Sequence, residues 1–328
     1  MNKESYTAAS IFPTKLLHQQ VTKNGKIIPV HIQLIPTNAC NLSCDFCSCS
    51  DRDKSKKLSL DQMIKVIDTV ADRGTKAMTI TGGGEPLMHS KVNGVIKYAG
   101  SKGIQSGLVT NGILLNRLDK HDSLTWCRIS SSDDRTPAYD TIASAVNKNT
   151  QTDFAFSHVI TEHPNYETIR NLINFANHFD FSHVRLVSDL LNLDKVPSME
   201  EVKKNLSWCE YHPTDKLTLM CQSAFDDRRV IYQGRKDSTK GTKDCYISLL
   251  KPIIAPEGIF ACCGIQYAIH GQPRDMVKEM SMGKIEDLPE ILDRQIPFNG
   301  SKCDTCFYSQ YNSALEQLLT KPEHLEFV

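Results

Sequence analysis

The residues best suited to chemistry are three closely spaced cysteines in the run Cys40-Asn-Leu-Ser-Cys44-Asp-Phe-Cys47. Thiolates at this spacing can each ligate one iron of a [4Fe–4S] cluster, and three ligands leave the fourth iron open to a small molecule. The alternatives are a zinc site and three buried structural thiols. No histidine follows at a zinc-ligand spacing, and Cys49 is too close to Cys47 for an easy shared centre. The spacing therefore favours an open, catalytic iron–sulfur cluster.

The same loop resembles the signature of the radical S-adenosylmethionine (SAM) superfamily, in which an aromatic residue precedes the last cysteine. Phe46 occupies that position. The resemblance implies that Cys40, Cys44 and Cys47 hold the cluster and that its open iron binds SAM. It further implies cleavage of SAM to a 5′-deoxyadenosyl radical, which abstracts a hydrogen atom from the substrate. The protein would supply placement and exclusion of water.

Strands and helices alternate along the chain from Val30 onward. The strand in VHIQLIPT directly precedes the cysteine loop, and a charged segment, SDRDKSKK, follows that loop. Six β-α units can be recognised between residues 31 and 190 from strand-like runs and helical apolar spacing. This alternation indicates an α/β fold with a parallel sheet and right-handed crossovers. Six units are too few for a closed eight-stranded barrel, so we expect a partial (β/α)6 TIM-like barrel, the architecture typical of the superfamily.

A glycine-rich loop follows the second strand, where ligands of parallel β/α folds gather. It contains Gly82, Gly83, Gly84 and Glu85, and glycine lets backbone groups approach a ligand closely. The loop is similar to the superfamily's GGEP motif, which implies backbone hydrogen bonds to the amino group of SAM. We expect Glu85 to be mainly structural. A tight βα turn is the alternative.

Two further loops match positions that contact SAM in the superfamily. Asn111 follows the third strand, and the polar stretch that contains Ser130, Ser132 and Asp133 follows the fourth. Hydroxyl groups and a carboxylate suit a ribose diol or the methionine part of the cofactor. Turn and N-cap chemistry favours the same residue types, so a structural role is the alternative.

A second group of cysteines lies in the last third of the chain. Cys303 and Cys306 have the spacing of a metal knuckle. The segment between Cys245 and Cys262 predicts a β-hairpin that turns at Pro256-Glu257-Gly258 and brings these two cysteines together. The arrangement resembles the twitch domain, a short relative of the SPASM domain. This implies a small α+β domain with an auxiliary [4Fe–4S] cluster on these four cysteines, and a structural zinc ion is the rival.

Cys263 directly follows Cys262 and is expected to be spare. Successive side chains of an extended segment point to opposite faces, so the two thiols cannot easily ligate one cluster. We expect Cys263 to face the barrel mouth, where a thiol can donate a hydrogen atom to a substrate radical. A buried, inert thiol is the alternative, and it is the expectation for Cys127, Cys209 and Cys221.

The expected organisation is an N-terminal extension (1–30), the barrel (31–190), a connecting segment (191–244) and the cysteine-rich domain (245–328). The 328 residues have no net formal charge and no basic tract, so we expect neither nucleic acid nor a membrane surface as a partner. No apolar stretch is long enough for a membrane span or a signal peptide. Twelve cysteines favour metal chemistry in a reducing compartment, so we expect a cytoplasmic protein.

Three functions are compatible with these motifs. An auxiliary cluster with four cysteine ligands suits electron transfer, which favours oxidation or dehydrogenation of a small metabolite or sugar. A reductant such as flavodoxin or ferredoxin would then be a partner. The second hypothesis is peptide modification by an epimerase or a thioether-forming enzyme, although no separate leader-peptide-binding domain precedes the barrel. The third is a non-catalytic metal-binding protein, against which the glycine loop counts.

Overall fold

The computed structural model describes residues 13–18, 20–206, 220–221, 224–225, 230–233, 240–263, 268–269, 272–304, 306 and 308–320. The helices are α1 (Leu60–Ala71), α2 (Val92–Ser101), α3 (Tyr139–Lys148), α4 (Tyr166–His178), α5 (Met199–Leu206), α6 (Ile247–Leu250), α7 (Met276–Met280), α8 (Leu288–Arg294) and α9 (Ser309–Leu319).

The strands are β1 (Thr22–Lys23), β2 (Lys26–Ile27), β3 (His31–Leu34), β4 (Ala77–Ile80), β5 (Gln105–Thr110), β6 (Leu124–Ser132), β7 (Asp153–Ile160), β8 (His183–Ser188), β9 (Met220–Cys221), β10 (Ala224–Phe225), β11 (Val230–Gln233), β12 (Asp244–Cys245), β13 (Ile253–Ala255), β14 (Gly258–Phe260), β15 (Ala268–Ile269), β16 (Gln272–Pro273), β17 (Ser281–Gly283) and β18 (Phe298–Asn299).

A parallel sheet forms the centre of the molecule. Strands β3 to β8 lie side by side in chain order, and each pairs in parallel with the next. This confirms the expected partial barrel of six β-α units. Two more parallel strands flank the six, because β11 pairs with β8 and β13 pairs with β3. The parallel sheet is therefore wider than the six strands that the sequence pattern indicated.

The helices cover the outer face of this sheet because each has one apolar side. Helix α1 begins with a capping box in which Ser59 and Gln62 each bond the other's backbone N–H, which stabilises the first turn. Ile67 and Val70 of α1 are fully buried and share the main core with Ile80 of β4. Since alternate strand residues face the helices, the remaining ones point into the barrel interior.

The predicted hairpin before Cys262 is present in part. Strands β13 and β14 form an antiparallel pair that turns at Pro256-Glu257, as expected. The beginning of the predicted first strand is instead the short helix α6, which buries Ile247 and Leu250. Because β13 pairs with β3, the hairpin extends the barrel sheet, and the cysteine-rich region shares that sheet. The division of the chain into domains stays a prediction.

A second, smaller core joins the two ends of the chain. Leu16 and Ile27 from the N-terminal part pack with Leu250 of α6 and with Tyr311 and Leu315 of α9. This layer lies against the ends of the strands opposite the cysteine loop. Among the described residues, none of the helices has the length and apolar character that crossing a bilayer requires.

Candidate active site

The first cysteine loop leaves the carboxyl end of β3 and is held to its neighbours by backbone contacts. Cys40, Cys44 and Cys47 are half-buried. A turn closes between Cys44 and Cys47, where the N–H of Cys47 donates to the carbonyl of Cys44 at 3.0 Å. Burial raises the pKa of the Cys44 thiol, Arg135 opposes that shift, and the other two thiols add to it. The three cysteines and a guanidinium therefore share one small region.

The glycine loop docks directly onto this cysteine loop. Gly84 N donates to the carbonyl of Thr37 at 3.1 Å, and Glu85 N donates to the carbonyl of Ala39 at 2.9 Å. A Cβ added to Gly84 would lie 1.9 Å from the Ala39 carbonyl oxygen. The absence of a side chain at Gly84 thus lets the two backbone segments touch. Contact of the glycine loop with SAM stays a prediction.

Glu85 holds the loops of three strands together. Its carboxylate, only 2% exposed, accepts hydrogen bonds from Thr110 Oγ1 at 2.7 Å, Asn111 N at 2.7 Å and Leu87 N at 3.1 Å. Burial raises the pKa of Glu85, and the donated hydrogen bonds oppose that shift. Asn111 also reaches the cysteine loop, because its Nδ2 donates to Asn41 Oδ1 at 2.7 Å. Glu85 thus joins the loops of three strands, and its functional role stays a prediction.

Two arginines that the sequence analysis did not single out lie beside the cysteine loop. Arg52 is 8% exposed, and its Nη1 lies 2.0 Å from where a Gly83 Cβ would be. Within the described part of the chain, Arg52 Nε and Nη1, Arg135 Nε and Ser132 Oγ are buried without a hydrogen-bond partner. Such donors suit a ligand that carries acceptor oxygens, above all a carboxylate. Arg52 belongs to the charged segment after the cysteines, and a run of charges ordinarily indicates a solvated surface.

The polar stretch predicted as a loop after the fourth strand is in fact part of that strand. Ser130 and Ser132 lie within β6, so they share the face opposite to Ser131. Ser131 Oγ lies 2.9 Å from His158 Nδ1, and His158 Nε2 lies 2.9 Å from Asp133 Oδ1. Asp133 is therefore already bonded to a fully buried histidine. Cofactor contact by Ser130, Ser132 and Asp133 stays a prediction.

The second cysteine set is brought together by the pairing of β12 with β18. This pairing places Cys245 opposite Phe298, near the turn that leads to Cys303. Gly241 N donates to the Cys303 carbonyl at 2.9 Å, which fastens the two segments. Burial raises the pKa of Cys245 to about 12, and Cys306 and Cys303 add to the shift. Cys245, Cys303 and Cys306 therefore lie within electrostatic range of one another.

Cys262 and Cys263 approach the same region from the end of the hairpin. Cys263 lies within electrostatic range of Cys306, and its Sγ is 2.7 Å from Tyr308 Oη. Lys251 Nζ donates to the same hydroxyl at 3.3 Å. Cys263, Tyr308 and Lys251 thus form a hydrogen-bonded row. The assignments of Cys262 as a cluster ligand and of Cys263 as a hydrogen-atom donor stay predictions. Cys209 and the side chain of Cys221 lie outside the described residues, and Cys127 is fully buried, as expected for an inert thiol.

Across the described ranges, no three side chains of Cys, His, Asp or Glu converge as one metal ion would need. A tetrahedral zinc ion requires four ligands at about 2.0–2.3 Å from one centre. A four-iron cluster takes each thiolate on a different iron, and the all-thiolate donor sets suit it. The unpartnered donors of Arg52 and Arg135, beside the cysteine loop, could bind the carboxylate of a ligand.

The family comparison agrees with this geometry. Residues 34–130 match the family model described as the radical SAM superfamily, and this segment runs from the end of β3 into β6. It contains both the cysteine loop and the glycine loop. Residues 34–130 are thus similar to the radical SAM superfamily, whose members bind a [4Fe–4S] cluster and SAM.

Relatives in sequence resemble only part of the chain. A GTP 3′,8-cyclase of Chlorobaculum tepidum is 32% identical over 90 residues, which cover 26% of this chain and 27% of the relative. A GTP 3′,8-cyclase of Staphylococcus aureus is 34% identical over 96 residues, 26% of this chain and 28% of the relative. The chain therefore aligns with about a quarter of the length of these curated relatives.

Solved structures resemble most of the chain, at low identity. Streptococcus suis SuiB bound to S-adenosylmethionine has a TM-score of 0.58 and 14% identity, and the match covers 84% of this chain and 67% of that one. The protein anSMEcpe with bound AdoMet and the Kp18Cys peptide has a TM-score of 0.53 and 12% identity, and the match covers 88% of this chain and 96% of that one. At such identities the likeness shows the fold alone.

Proposed function

We propose that this protein is a radical SAM enzyme that oxidises a small polar metabolite or sugar. Cys40, Cys44 and Cys47 would hold the first [4Fe–4S] cluster, and Cys245, Cys262, Cys303 and Cys306 an auxiliary one. When bound, the first cluster and SAM supply a 5′-deoxyadenosyl radical that abstracts a hydrogen atom from the substrate. The auxiliary cluster, with every iron ligated, would accept the electron released by oxidation.

The observation that carries this proposal is the group of unpartnered donors beside the cysteine loop. A buried guanidinium is costly unless an acceptor pairs with it. Arg52 Nε and Nη1 have no such acceptor among the described residues, and they lie against Gly83 of the glycine loop. A ligand with a carboxylate, such as the methionine part of SAM, would satisfy them. We assign Arg52 and Arg135 to this role.

A cavity of about 280 Å³ lies at the amino-terminal ends of the strands, opposite the cysteine loop. It is lined by Trp126 and Thr79 of the strands and by Lys251, Tyr308 and Tyr311 of the C-terminal part. Ligands of β/α barrels gather at the carboxyl ends of the strands, so this cavity is not assigned to the substrate. The preference for a small metabolite rests on the fully ligated auxiliary cluster proposed above.

The decisive experiment is SAM cleavage by the anaerobically reconstituted, reduced protein. The wild type should form 5′-deoxyadenosine and methionine, and Cys44→Ala should form neither. Arg52→Met should reduce the affinity for SAM at least tenfold, since a charge-assisted hydrogen bond is worth about 1.5–3 kcal/mol. Arg73→Met is the matched control, because that arginine pairs with Asp293 at the surface, far along the chain from the cysteines.

Two results would contradict the proposal. Formation of S-adenosylhomocysteine as the sole product would indicate a methyltransferase. Absence of SAM cleavage in protein that contains both clusters would support the non-catalytic hypothesis. Equal SAM affinity in Arg52→Met and Arg73→Met would remove Arg52 from the site and with it the main structural support for the proposal.

Peptide modification is the second candidate function. The observation in its favour is that two of the proteins with similar solved structures are seen with peptides. SuiB is also known bound to its precursor peptide SuiA, and anSMEcpe is bound to the Kp18Cys peptide. A peptide substrate would need an open path into the barrel. Co-purification of SAM-dependent peptide product, with no small-molecule product, would favour this candidate.

The proposed reaction also sets the remaining partners and the location. Reductive cleavage needs an electron donor, for which flavodoxin or ferredoxin is suited. Metal-binding thiols persist in a reducing compartment, so we propose a cytoplasmic location. We keep the proposed functional division into a barrel (31–190) and a cysteine-rich part (245–328), each holding one cluster.

A further inference from the structure

A buried row of hydrogen bonds connects the carboxyl ends of β6 and β7. Ser131 Oγ lies 2.9 Å from His158 Nδ1, and His158 Nε2 lies 2.9 Å from Asp133 Oδ1. Thr161 Oγ1 lies 3.5 Å from the second oxygen of the same carboxylate. Ser131 is 1% exposed, and the imidazole is fully buried. The row therefore ties Asp133, the residue that follows β6, to the neighbouring strand.

The partners of the imidazole fix the direction of its hydrogen bonds. A carboxylate only accepts hydrogen bonds, so His158 Nε2 carries a proton and donates it to Asp133. The hydroxyl of Ser131 is the partner of Nδ1. Both ring nitrogens are thus satisfied, which a buried imidazole requires. Loss of either partner would leave a buried polar atom without a hydrogen bond.

The row lies on the helix side of the sheet. Ile129 of β6 and Phe156 of β7 belong to the main core, which the helices cover. Because side chains alternate along a strand, Ser131 and His158 share that face, and Ser132 points to the opposite one, into the barrel. The row therefore holds the end of β6 from behind, away from the barrel interior.

Asp133 begins a tight turn that brings Arg135 back onto the strand. Arg135 N donates to the carbonyl of Ser132 at 3.3 Å, and its Nη2 donates to the carbonyl of Ser130. Arg135 Nε and Ser132 Oγ are buried with no hydrogen-bond partner in the part of the chain that the structure describes. Buried groups of this kind suit a ligand with acceptor oxygens. The row thus anchors the turn that carries this arginine.

The same turn lies beside the cysteine loop. Strand β5 pairs with β6 to its last residue, and the next residue, Asn111, donates through Nδ2 to Asn41 Oδ1 at 2.7 Å. Asn41 directly follows Cys40. Arg135 also opposes the rise in the pKa of the Cys44 thiol, which agrees with this placement.

We propose that His158 is a positioning residue, which acts through Asp133 to hold Arg135 on the carboxylate of SAM. The inference rests on the proposed function, which assigns Arg135 to that carboxylate, and it adds the buried row that keeps the guanidinium in place. His158 is fully buried, so it acts without touching the cofactor. Without its hydrogen bond the turn loses its tie to β7, and SAM binds more weakly.

Calorimetric titration of the cluster-loaded protein with SAM under anaerobic conditions tests this role. His158→Met, which fills a similar volume without hydrogen bonds, should weaken SAM binding about tenfold. His158→Gln should restore most of the affinity, because its amide can donate to Asp133 in place of Nε2. 5′-Methylthioadenosine lacks the carboxylate, so its affinity should be the same in all three proteins. His183→Met, at the start of β8, is the matched control and should leave SAM affinity unchanged, because His183 is an equally buried histidine that lies 2.9 Å from a serine hydroxyl.

A double-mutant cycle shows whether His158 acts through Arg135. Arg135→Met should weaken SAM binding by itself, and adding His158→Met should lower the affinity no further. Ser131→Ala is a milder change to the same row, because it removes the partner of Nδ1 while leaving the core filled. It should weaken SAM binding about threefold, and this loss should also vanish in the Arg135→Met protein.

Three results would overturn the inference: SAM affinity equal to that of the wild type in His158→Met and Ser131→Ala, additive losses in the cycle, and an equal loss of 5′-methylthioadenosine affinity. The last two would make the row a general support of the fold. If His158→Met does not fold, Ser131→Ala and its cycle with Arg135→Met decide the question. A wild type that binds SAM without cleaving it would refute the proposed function, while the affinities still decide the role of His158. A wild type that does not bind SAM would refute both.

Discussion

Replacement of Gly84 by alanine should break the contact between the glycine loop and the cysteine loop. The added Cβ would lie 1.9 Å from the Ala39 carbonyl oxygen and 2.6 Å from the backbone carbons of Ala39 and Asn38. Those atoms belong to the backbone, so no side-chain rotation relieves the clash. The two loops must separate, and the hydrogen bonds from Gly84 N and Glu85 N are lost.

The size of the effect follows from these contacts. Overpacking a tight site costs about 1–3 kcal/mol, and two backbone hydrogen bonds contribute about 1 kcal/mol each. The free energy of unfolding should therefore fall by about 3–5 kcal/mol, which corresponds to a hundredfold or more in the folding equilibrium. Gly94→Ala is the control, because Gly94 is exposed on α2 and a Cβ there meets nothing within 4 Å. That variant should gain about 0.5–1 kcal/mol.

Two measurements check this prediction. Urea unfolding of the metal-free proteins gives the stability difference between Gly84→Ala and Gly94→Ala. Iron analysis after anaerobic reconstitution should give about four irons per chain for Gly84→Ala and about eight for Gly94→Ala, because Ala39 directly precedes Cys40. If both variants unfold at the same urea concentration and load the same iron, the close approach of the loops is not what holds the cysteine loop in place.

Three more predictions address the other parts of the site. Replacement of Cys40, Cys44 and Cys47 by alanine should leave about four of the about eight irons per chain. Stoichiometric zinc beside about four irons in the wild type would instead show that the second cysteine set holds a structural zinc ion. Cys263→Ala and Tyr308→Phe should keep both clusters and SAM cleavage yet change the product, because the thiol and the hydroxyl lie 2.7 Å apart. Unchanged turnover in both variants would show that Cys263 is an inert thiol, and loss of iron from Cys263→Ala would show that it is a cluster ligand. Since burial raises the pKa of Glu85, the folded state binds that proton more tightly than the unfolded chain does, so the free energy of unfolding should fall as pH rises from about 4.3 through the raised pKa. Glu85→Gln should lack this pH dependence, and the same pH dependence in both proteins would contradict the prediction.

Local patterns predicted the framework of the molecule well. The alternation of strand-like and helical runs identified all six central strands, because each strand has one face against helices and reads as a β-branched apolar run. The pattern misjudged Ser130 and Ser132, since three successive serines indicate a turn while the parallel partner β7 keeps them extended. It also missed α6, a four-residue helix that is buried throughout and places Ile247, Leu249 and Leu250 in the second, smaller core. In each case tertiary burial overrode local propensity.

Cysteine spacing by itself determined the kind of chemistry, because ligands of one cluster lie within a few residues and their order is written in the chain. The tertiary structure decided which other residues share the site. Arg52 is turned inward only because Gly83 leaves room for its guanidinium. Cys263 and Tyr308 are separated by 45 residues, and their Sγ and Oη atoms lie 2.7 Å apart because the fold brings the end of the hairpin beside the start of α9. Such encounters depend on the path of the whole backbone, and no local pattern of residues encodes them.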